Sequence, residues 1–172
     1  MSRPHDHGSL QILVAYDGSP DADAAVELTA AAFPGARAKV LSVWEPLIVD
    51  ALAPSRPEEA TQAIACRAAE RARSLGLEAE PRWQADVTEV WRAIVDAAAR
   101  EKADLIITGR RGLAGHGSSP EGSVAQGVVR HADRPVLVVP SAQTAQPPRA
   151  AVADRVVANG GLRIQVASLE EV

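Results

Sequence analysis

The fold is decided by residues 104–124, which read DLIITGRRGLAGHGSSPEGSV. The stretch begins with a short, continuously apolar run at residues 105–107, which is typical of a strand buried on both faces of a parallel sheet. A glycine-rich loop follows this run, and a helix is predicted over residues 123–131. The order of strand, loop and helix indicates one βαβ unit of an α/β protein.

The same alternation extends along most of the chain. Apolar runs predict strands at residues 10–16, 38–44, 78–84, 104–108 and 135–139. Helical periodicity predicts four helices, at residues 20 to about 34, 58–75, 87–100 and 123–131. This pattern predicts a five-stranded, parallel, doubly wound sheet with helices on both faces. Ligands of such sheets bind where the strand order reverses, so we expect the site after strands one and four.

Local signals refine three of these elements. Ser19 suits the N-cap of the first helix and Pro20 suits its first turn. Pro81 interrupts the third strand, which therefore belongs at an edge of the sheet or at a bulge. Thr88 or Asp86 is expected to cap the third helix. The apolar stripe of the first helix is predicted at Ala24, Ala25, Leu28, Ala31 and Ala32.

Composition limits the classes of function. The net charge of −4 argues against a general nucleic-acid binder, which would carry a basic excess. The sequence contains no run of about 18 apolar residues, so no membrane span is predicted. The N-terminus has no apolar stretch typical of a signal peptide. The single cysteine, Cys66, fits a reducing compartment, so we expect a cytoplasmic protein.

The 172 residues divide into three predicted parts. Residues 1–9 are expected to be a disordered N-terminus, residues 10–140 form the α/β domain, and residues 141–172 form a linker and a C-terminal extension. Asn159-Gly160 lies between two apolar runs and predicts a β-hairpin in the extension. The rival interpretation is a short helix at residues 150–158. We expect the extension to pack on the sheet edge or on a dimer partner, the alternative being a loose appendage.

The glycine-rich loop has the chemistry of an anion site. Glycines let the backbone approach a ligand, and the following helix adds the positive end of its dipole. Arg110 or Arg111 could neutralise phosphate charge, although two exposed, solvated arginines are an equally ordinary interpretation. The loop lacks the lysine of a Walker A motif and the third glycine of a dinucleotide fingerprint. The alternative is a connection whose glycines serve the turns alone.

The spacing Gly109-x2-Gly112-x9-Gly122-Ser123 resembles the signature of the universal stress protein family. Residues 15–19, 41–46, 103–109 and 134–139 resemble further landmarks of that family in the same order. The resemblance implies a homodimer and, for members with this signature, ATP binding. It implies that Asp17 contacts the ribose and that the Val43 backbone meets adenine. It implies that Gly109, Gly112, Gly122, Ser123 and Val124 surround the phosphates. The complete set of predicted nucleotide contacts is Ala15, Asp17, Val43, Gly109, Arg110, Gly112, Gly122, Ser123 and Val124.

The sequence thus predicts an ATP-binding, nucleotide-responsive dimeric stress regulator. Its dimer contact is expected at the fifth strand, Val136–Val139, and its protein partner is not identified by the sequence. We predict no catalytic residue, no dedicated metal ligand, and at most a Mg²⁺ ion that accompanies the triphosphate. Two alternatives stay open at this point: a dimeric scaffold of the same fold without nucleotide, and a slow ATPase.

Overall fold

The computed structural model describes residues 9–44, 57–85, 89–113 and 122–141. Helices and strands alternate along these ranges, as the sequence predicts. In chain order they are β1 Gln11–Ala15, α1 Pro20–Ala32, β2 Arg37–Trp44, α2 Pro57–Ser74, β3 Glu78–Ala85, α3 Val90–Arg100, β4 Leu105–Gly109, α4 Ser123–His131 and β5 Val136–Val139.

The strands form one parallel sheet in the order β3-β2-β1-β4-β5. β1 lies at the centre, where Val14 pairs with Val40 of β2 on one side and with Ile107 of β4 on the other. The chain moves outward from β1 in one direction first and then in the other. The reversal between β1 and β4 opens a crevice at their carboxyl ends, which is the position predicted for a ligand.

Two apolar layers cover the faces of the sheet. Ile12 and Val14 of β1 pack with α1 and α2. Leu13 and Ala15, which alternate with them along the strand, pack with α3 and α4. Ile106 and Ile107 of β4 likewise contribute to opposite layers and are fully buried. The doubly wound α/β fold with helices on both faces is therefore confirmed.

The two edges of the sheet differ in character. β3 forms one edge and contains Pro81 in register with Val40, which confirms the edge position predicted from the proline. Charged side chains cover this edge, since Glu80 pairs with Lys39 at 2.7 Å and with Arg82 at 2.8 Å. Both cations hold the pKa of Glu80 below its usual value. The opposite edge is β5, which reads VLVV.

Two local predictions are wrong. The buried face of α1 consists of Asp21, Ala22, Ala25, Val26 and Thr29, whereas Leu28 of the predicted stripe is exposed. Thr29 can be buried on this face because its hydroxyl donates a hydrogen bond to the Ala25 carbonyl at 2.6 Å. The N-cap of α3 is Glu89 rather than Thr88 or Asp86. β3 continues to Ala85 and Glu89 is still extended, so the helix begins at Val90.

Several predictions fall on residues outside the described ranges. They are residues 1–8 of the N-terminus predicted to be disordered, and the hairpin or helix predicted within residues 142–172. Asp86 and Thr88 also lie outside these ranges, and the cap prediction is decided by Glu89 alone. The division into domain and extension therefore stays a prediction. Among the described helices, none has both the length and the apolar character needed to cross a membrane.

Candidate functional site

A cavity of about 390 Å³ lies at the carboxyl ends of β1 and β4. It is bounded by the loop after β1, the start of α1, the end of β2, the start of α3, the glycine-rich loop and the start of α4. The structure brings together all the residues that the sequence analysis selected. The predicted residues on its wall are Ala15, Asp17, Val43, Gly109, Arg110, Gly112, Gly122, Ser123 and Val124. Their role as ligand contacts stays a prediction.

The Asp17 carboxylate is fixed by two backbone donors. Its Oδ1 accepts the N–H of Ser19 at 2.9 Å, and its Oδ2 accepts the N–H of Leu113 at 2.9 Å. The chain can turn between Asp17 and Ser19 because Gly18 has a φ of 87°, a value that favours glycine. Asp17 therefore joins the end of β1 to the glycine-rich loop and faces the cavity from there.

Gly112 lets the loop approach that carboxylate. A Cβ atom at this position would lie 2.6 Å from Asp17 Oδ2, closer than real Cβ contacts. Glycine is needed at position 109 on similar grounds, since a Cβ added there would lie 2.8 Å from the backbone carbonyl carbon of Asp21 and 2.9 Å from the backbone nitrogen of Ala22. The two glycines therefore permit close contacts between the loop and the start of α1, independently of any ligand.

The start of α4 forms the opposite side of the cavity. The N–H of Gly122 donates to the Arg110 carbonyl at 2.9 Å, which brings the two ends of the glycine-rich loop together. Gly122 is the N-cap of α4 and supplies no side-chain cap. Ser123 and Val124 follow in the first turn, whose N–H groups have no partners within the helix. The positive end of the α4 dipole therefore points toward the cavity.

A second wall of the cavity is apolar. Leu41 and Val43 come from β2, and Val90 and Ile94 come from α3. The sequence analysis did not select Val90 or Ile94 for the site, because an apolar stripe on a helix is typical of core packing. Among the described residues, those that line the cavity in addition to the predicted contacts are Tyr16, Ser19, Ala22, Leu41, Val90, Ile94, Thr108, Arg111, Ala125 and Gln126.

Tyr16 is the lining residue with a clearly shifted pKa. Its hydroxyl donates to Asp23 Oδ1 at 2.7 Å. Burial and the hydrogen bond to Asp23 raise the pKa of Tyr16 to about 12. The phenol is therefore protonated at neutral pH and serves as a hydrogen-bond donor rather than as a base.

The arrangement suits binding of an anion that carries an apolar ring. The cavity has the first-turn N–H groups of α4 at one end and aliphatic side chains at the other. Among its described lining residues we find no histidine, cysteine or lysine. The described part of the chain also contains no group of three or more His, Cys, Asp or Glu that could hold a metal ion.

Known proteins share this sequence pattern and fold. A sequence model of the universal stress protein family matches residues 10–140. The Thermus aquaticus protein named "Universal stress protein in QAH/OAS sulfhydrylase 3'region" is 43% identical over 133 residues, covering 74% of this chain and 96% of that protein.

Solved structures have the same fold. A universal stress protein solved in complex with cAMP is 26% identical, with a TM-score of 0.57, covering 76% of this chain and 96% of the other. The Archaeoglobus fulgidus universal stress protein in complex with dAMP is 23% identical, with a TM-score of 0.59, covering 76% of this chain and 97% of the other. The family model that matches residues 10–140 and the 43% identity to the Thermus aquaticus protein show that the chain belongs to the universal stress protein family.

Proposed function

We propose that this protein binds ATP in the cavity at the carboxyl ends of β1 and β4. The observation that carries the proposal is that all the implied nucleotide contacts, from Ala15 to Val124, line this one cavity. Its volume of about 390 Å³ falls in the range of about 300–1,000 Å³ typical of small-molecule sites. The relative solved with cAMP supports an adenine nucleotide as the ligand class.

The chemistry of the walls favours one orientation of the nucleotide. Adenine would lie against the aliphatic wall and meet the Val43 backbone. The ribose would meet Asp17, because a carboxylate has about four acceptor sites and the two N–H bonds to Ser19 and Leu113 leave some for hydroxyl groups. The phosphates would lie between the glycine-rich loop and the first turn of α4, where N–H groups and the helix dipole favour anions.

Charge at the phosphate end supports a phosphorylated ligand over a nucleoside. Arg110 and Arg111 are both in the cavity lining. A guanidinium group recognises phosphate through planar, paired donors. Mg²⁺ would enter with the triphosphate, since in nucleotide sites this ion is bound largely by phosphate oxygens and water.

Calorimetry with ATP and with adenosine tests the proposal. We expect heat of binding and thermal stabilisation with ATP, and weaker binding of adenosine. Gly122→Ala is expected to weaken ATP binding at least tenfold, because its Cβ would lie 3.1 Å from the Arg110 carbonyl that closes the loop. The control is Gly35→Ala, remote from the cavity between α1 and β2: its φ of 76° makes alanine costly by about 1–2 kcal/mol in stability, but its ATP affinity should not change.

Each alternative function corresponds to a distinct result. Absence of heat and of stabilisation at millimolar ATP would contradict nucleotide binding and favour the scaffold. Release of phosphate from ATP and Mg²⁺, lost in Gly122→Ala, would identify a slow ATPase. Binding without phosphate release is the result that we expect for a nucleotide-responsive regulator, in which ATP shifts the population of a partner-binding conformation.

We also propose a homodimer through β5. Val136, Leu137 and Val138 are half-buried at an uncharged sheet edge, whereas the β3 edge is covered by an ion-pair network. An uncovered apolar edge strand favours pairing with another strand, and a twofold axis would supply the same edge of a second copy. Val138→Lys should give a monomer in light scattering, whereas Ala85→Lys on β3 should stay dimeric. A monomeric wild-type protein at high concentration would contradict the proposal.

We propose a cytoplasmic location as well. Cys66 is a free thiol on α2, which suits a reducing compartment. Fractionation of cells that produce the protein tests this, and recovery outside the cytoplasm would contradict it.

A further inference from the structure

A buried carboxylate lies directly behind the glycine-rich loop. Asp21 is in the first turn of α1 and is 1% exposed. Its Oδ2 accepts the N–H of Arg111 at 3.0 Å, and its Oδ1 accepts the N–H of Ser141 at 3.1 Å. One side chain therefore holds the loop after β4 and the chain that follows β5.

Arg111 is held by α1 at both of its backbone groups. Its N–H donates to Asp21, and its carbonyl accepts the hydroxyl of Ser19 at 3.2 Å. Ser19 is itself fixed as the N-cap of α1, where its Oγ accepts the N–H of Ala22 at 3.2 Å. The peptide units around residue 111 are thus attached to a rigid helix rather than set by the loop alone.

We propose that Asp21 is a positioning residue for the phosphate end of the site, and that it couples this end to the backbone of Ser141 after β5. This inference rests on the proposed function, because the loop that Asp21 holds is the one assigned to the phosphates. Asp21 does not line the cavity and acts through Arg111.

The requirement for a carboxylate follows from the geometry. Each Asp21 oxygen accepts a different N–H, and an amide has a single oxygen that can accept. In Asp21→Asn the NH₂ group would face either Arg111 N–H or Ser141 N–H, donor against donor. One of the two bonds must therefore break, although the side chain keeps its size.

The sign of the change in affinity separates positioning from a plain effect of charge. Removing a buried negative charge behind a phosphate site would strengthen ATP binding by electrostatics alone. Loss of the loop position would weaken it. We expect Asp21→Asn to bind ATP at least tenfold more weakly and adenosine less than threefold more weakly than the wild type.

Asp23→Asn is the matched control. Asp23 is also in the first turn of α1, but its Oδ1 accepts from the Tyr16 hydroxyl, which can rotate and accept a hydrogen bond from an amide. Asp23→Asn removes the same charge from the same helix turn, so its ATP affinity should change less than threefold. A folded Asp21→Asn protein with unchanged or increased ATP affinity would overturn the positioning role.

Ser141→Pro tests the coupling and replaces Asp21→Asn if that variant does not fold. Proline removes the Ser141 N–H that donates to Asp21, and Ser141→Ala, which removes the hydroxyl but keeps the N–H, is its control. We expect a smaller loss of ATP affinity in the same direction, with adenosine binding unchanged. Equal ATP affinity in Ser141→Pro and wild type would overturn the coupling.

Amide hydrogen exchange without nucleotide separates this inference from the proposed function. The Arg111 and Ser141 amides should exchange slowly in the wild type, both faster in Asp21→Asn, and at wild-type rates in Asp23→Asn. Fast exchange of both in the wild type would overturn the positioning role even if ATP binds. Slow exchange that depends on Asp21, in a protein that binds no nucleotide, would reject the proposed function and keep the structural role of Asp21.

Discussion

Gly112→Ala provides a direct test of how the loop and the end of β1 depend on each other. The added Cβ would lie 2.6 Å from Asp17 Oδ2, so the oxygen must move by about 0.8 Å to reach the 3.4 Å at which ordinary van der Waals contact begins. Asp17 cannot move this far while it also accepts from Ser19 and Leu113 at 2.9 Å. We therefore expect the bond to Leu113 to break.

The cost of that change follows from the type of bond. A hydrogen bond to a charged group contributes about 1.5–3 kcal/mol to stability. The free energy of unfolding, measured by urea titration, should fall by about this amount in Gly112→Ala. If Asp17 also contacts the ribose, its displacement should weaken ATP binding by roughly 10- to 150-fold in calorimetry.

Gly76→Ala controls for a loss of stability that does not touch the site. Gly76 lies after α2 with φ of 96° and open space around its Cβ position. Alanine in this left-handed conformation costs about 1–2 kcal/mol, and ATP affinity should not change. Wild-type stability and affinity in Gly112→Ala would refute the argument from close contact. Lower stability with wild-type affinity would keep the contact and refute the role of Asp17 at the ribose.

Three further predictions concern residues near the cavity. The pKa of Tyr16 is raised to about 12, so between pH 10 and pH 12 the folded state keeps the phenol proton and the unfolded state releases it. Wild-type stability should therefore fall as pH rises through this window, and Tyr16→Phe should lack this fall. Urea titrations of both proteins at each pH would show parallel curves if Tyr16 has no such role. Gly127→Ala should lower stability, because the overlap of its Cβ with the Trp91 ring at 2.3 Å costs about 1–3 kcal/mol against a gain of about 1 kcal/mol in helix propensity; a more stable variant in urea would contradict this. Ser19→Ala should lower the unfolding free energy by about 1 kcal/mol through loss of the α1 cap, and an unchanged urea midpoint would contradict it.

Some features of the site were predictable because they depend on local sequence and on topology. The run at residues 105–107 shows no alternation, and burial of Ile106 and Ile107 in opposite layers explains why. Once the order of elements indicates a doubly wound sheet, the carboxyl ends of β1 and β4 must meet at the reversal. Asp17 lies two residues after β1 and Gly109 is the last residue of β4, so their common position at this end of the sheet required no knowledge of side-chain packing.

The buried face of α1 was not predictable from the sequence. Alanines occur on several sides of this helix, so the sequence pattern does not distinguish its buried face. Leu28 was predicted to be buried and is exposed, whereas Thr29 is buried with its hydroxyl bonded to the Ala25 carbonyl. The actual face follows from what α1 packs against, chiefly the end of β4, where Gly109 contacts the Asp21 backbone.

Asp21 follows Pro20 in the first turn of α1, where an acidic residue stabilises the helix N-terminus, and this is its local role. Its other partners lie 90 and 120 residues away in the chain, at Arg111 and Ser141. No periodicity or spacing connects residues so far apart, and a buried carboxylate is unusual unless it is paired. A contact between three distant segments becomes visible in the structure alone.

Asp17, which precedes α1, and Asp21, in its first turn, bind the same short loop segment at residues 111–113 from two sides. Asp17 accepts from Leu113 on the cavity side, and Asp21 accepts from Arg111 behind the cavity. Each uses its negative charge on backbone N–H groups, which fixes the loop without a side chain from the loop itself. In the proposed nucleotide complex two carboxylates would lie near the phosphates, so Arg110, Arg111 and the α4 dipole would have to compensate their charge. In that proposed complex the two carboxylates would increase the rigidity of the loop and lower its affinity for phosphate, so we expect ATP to bind reversibly rather than very tightly.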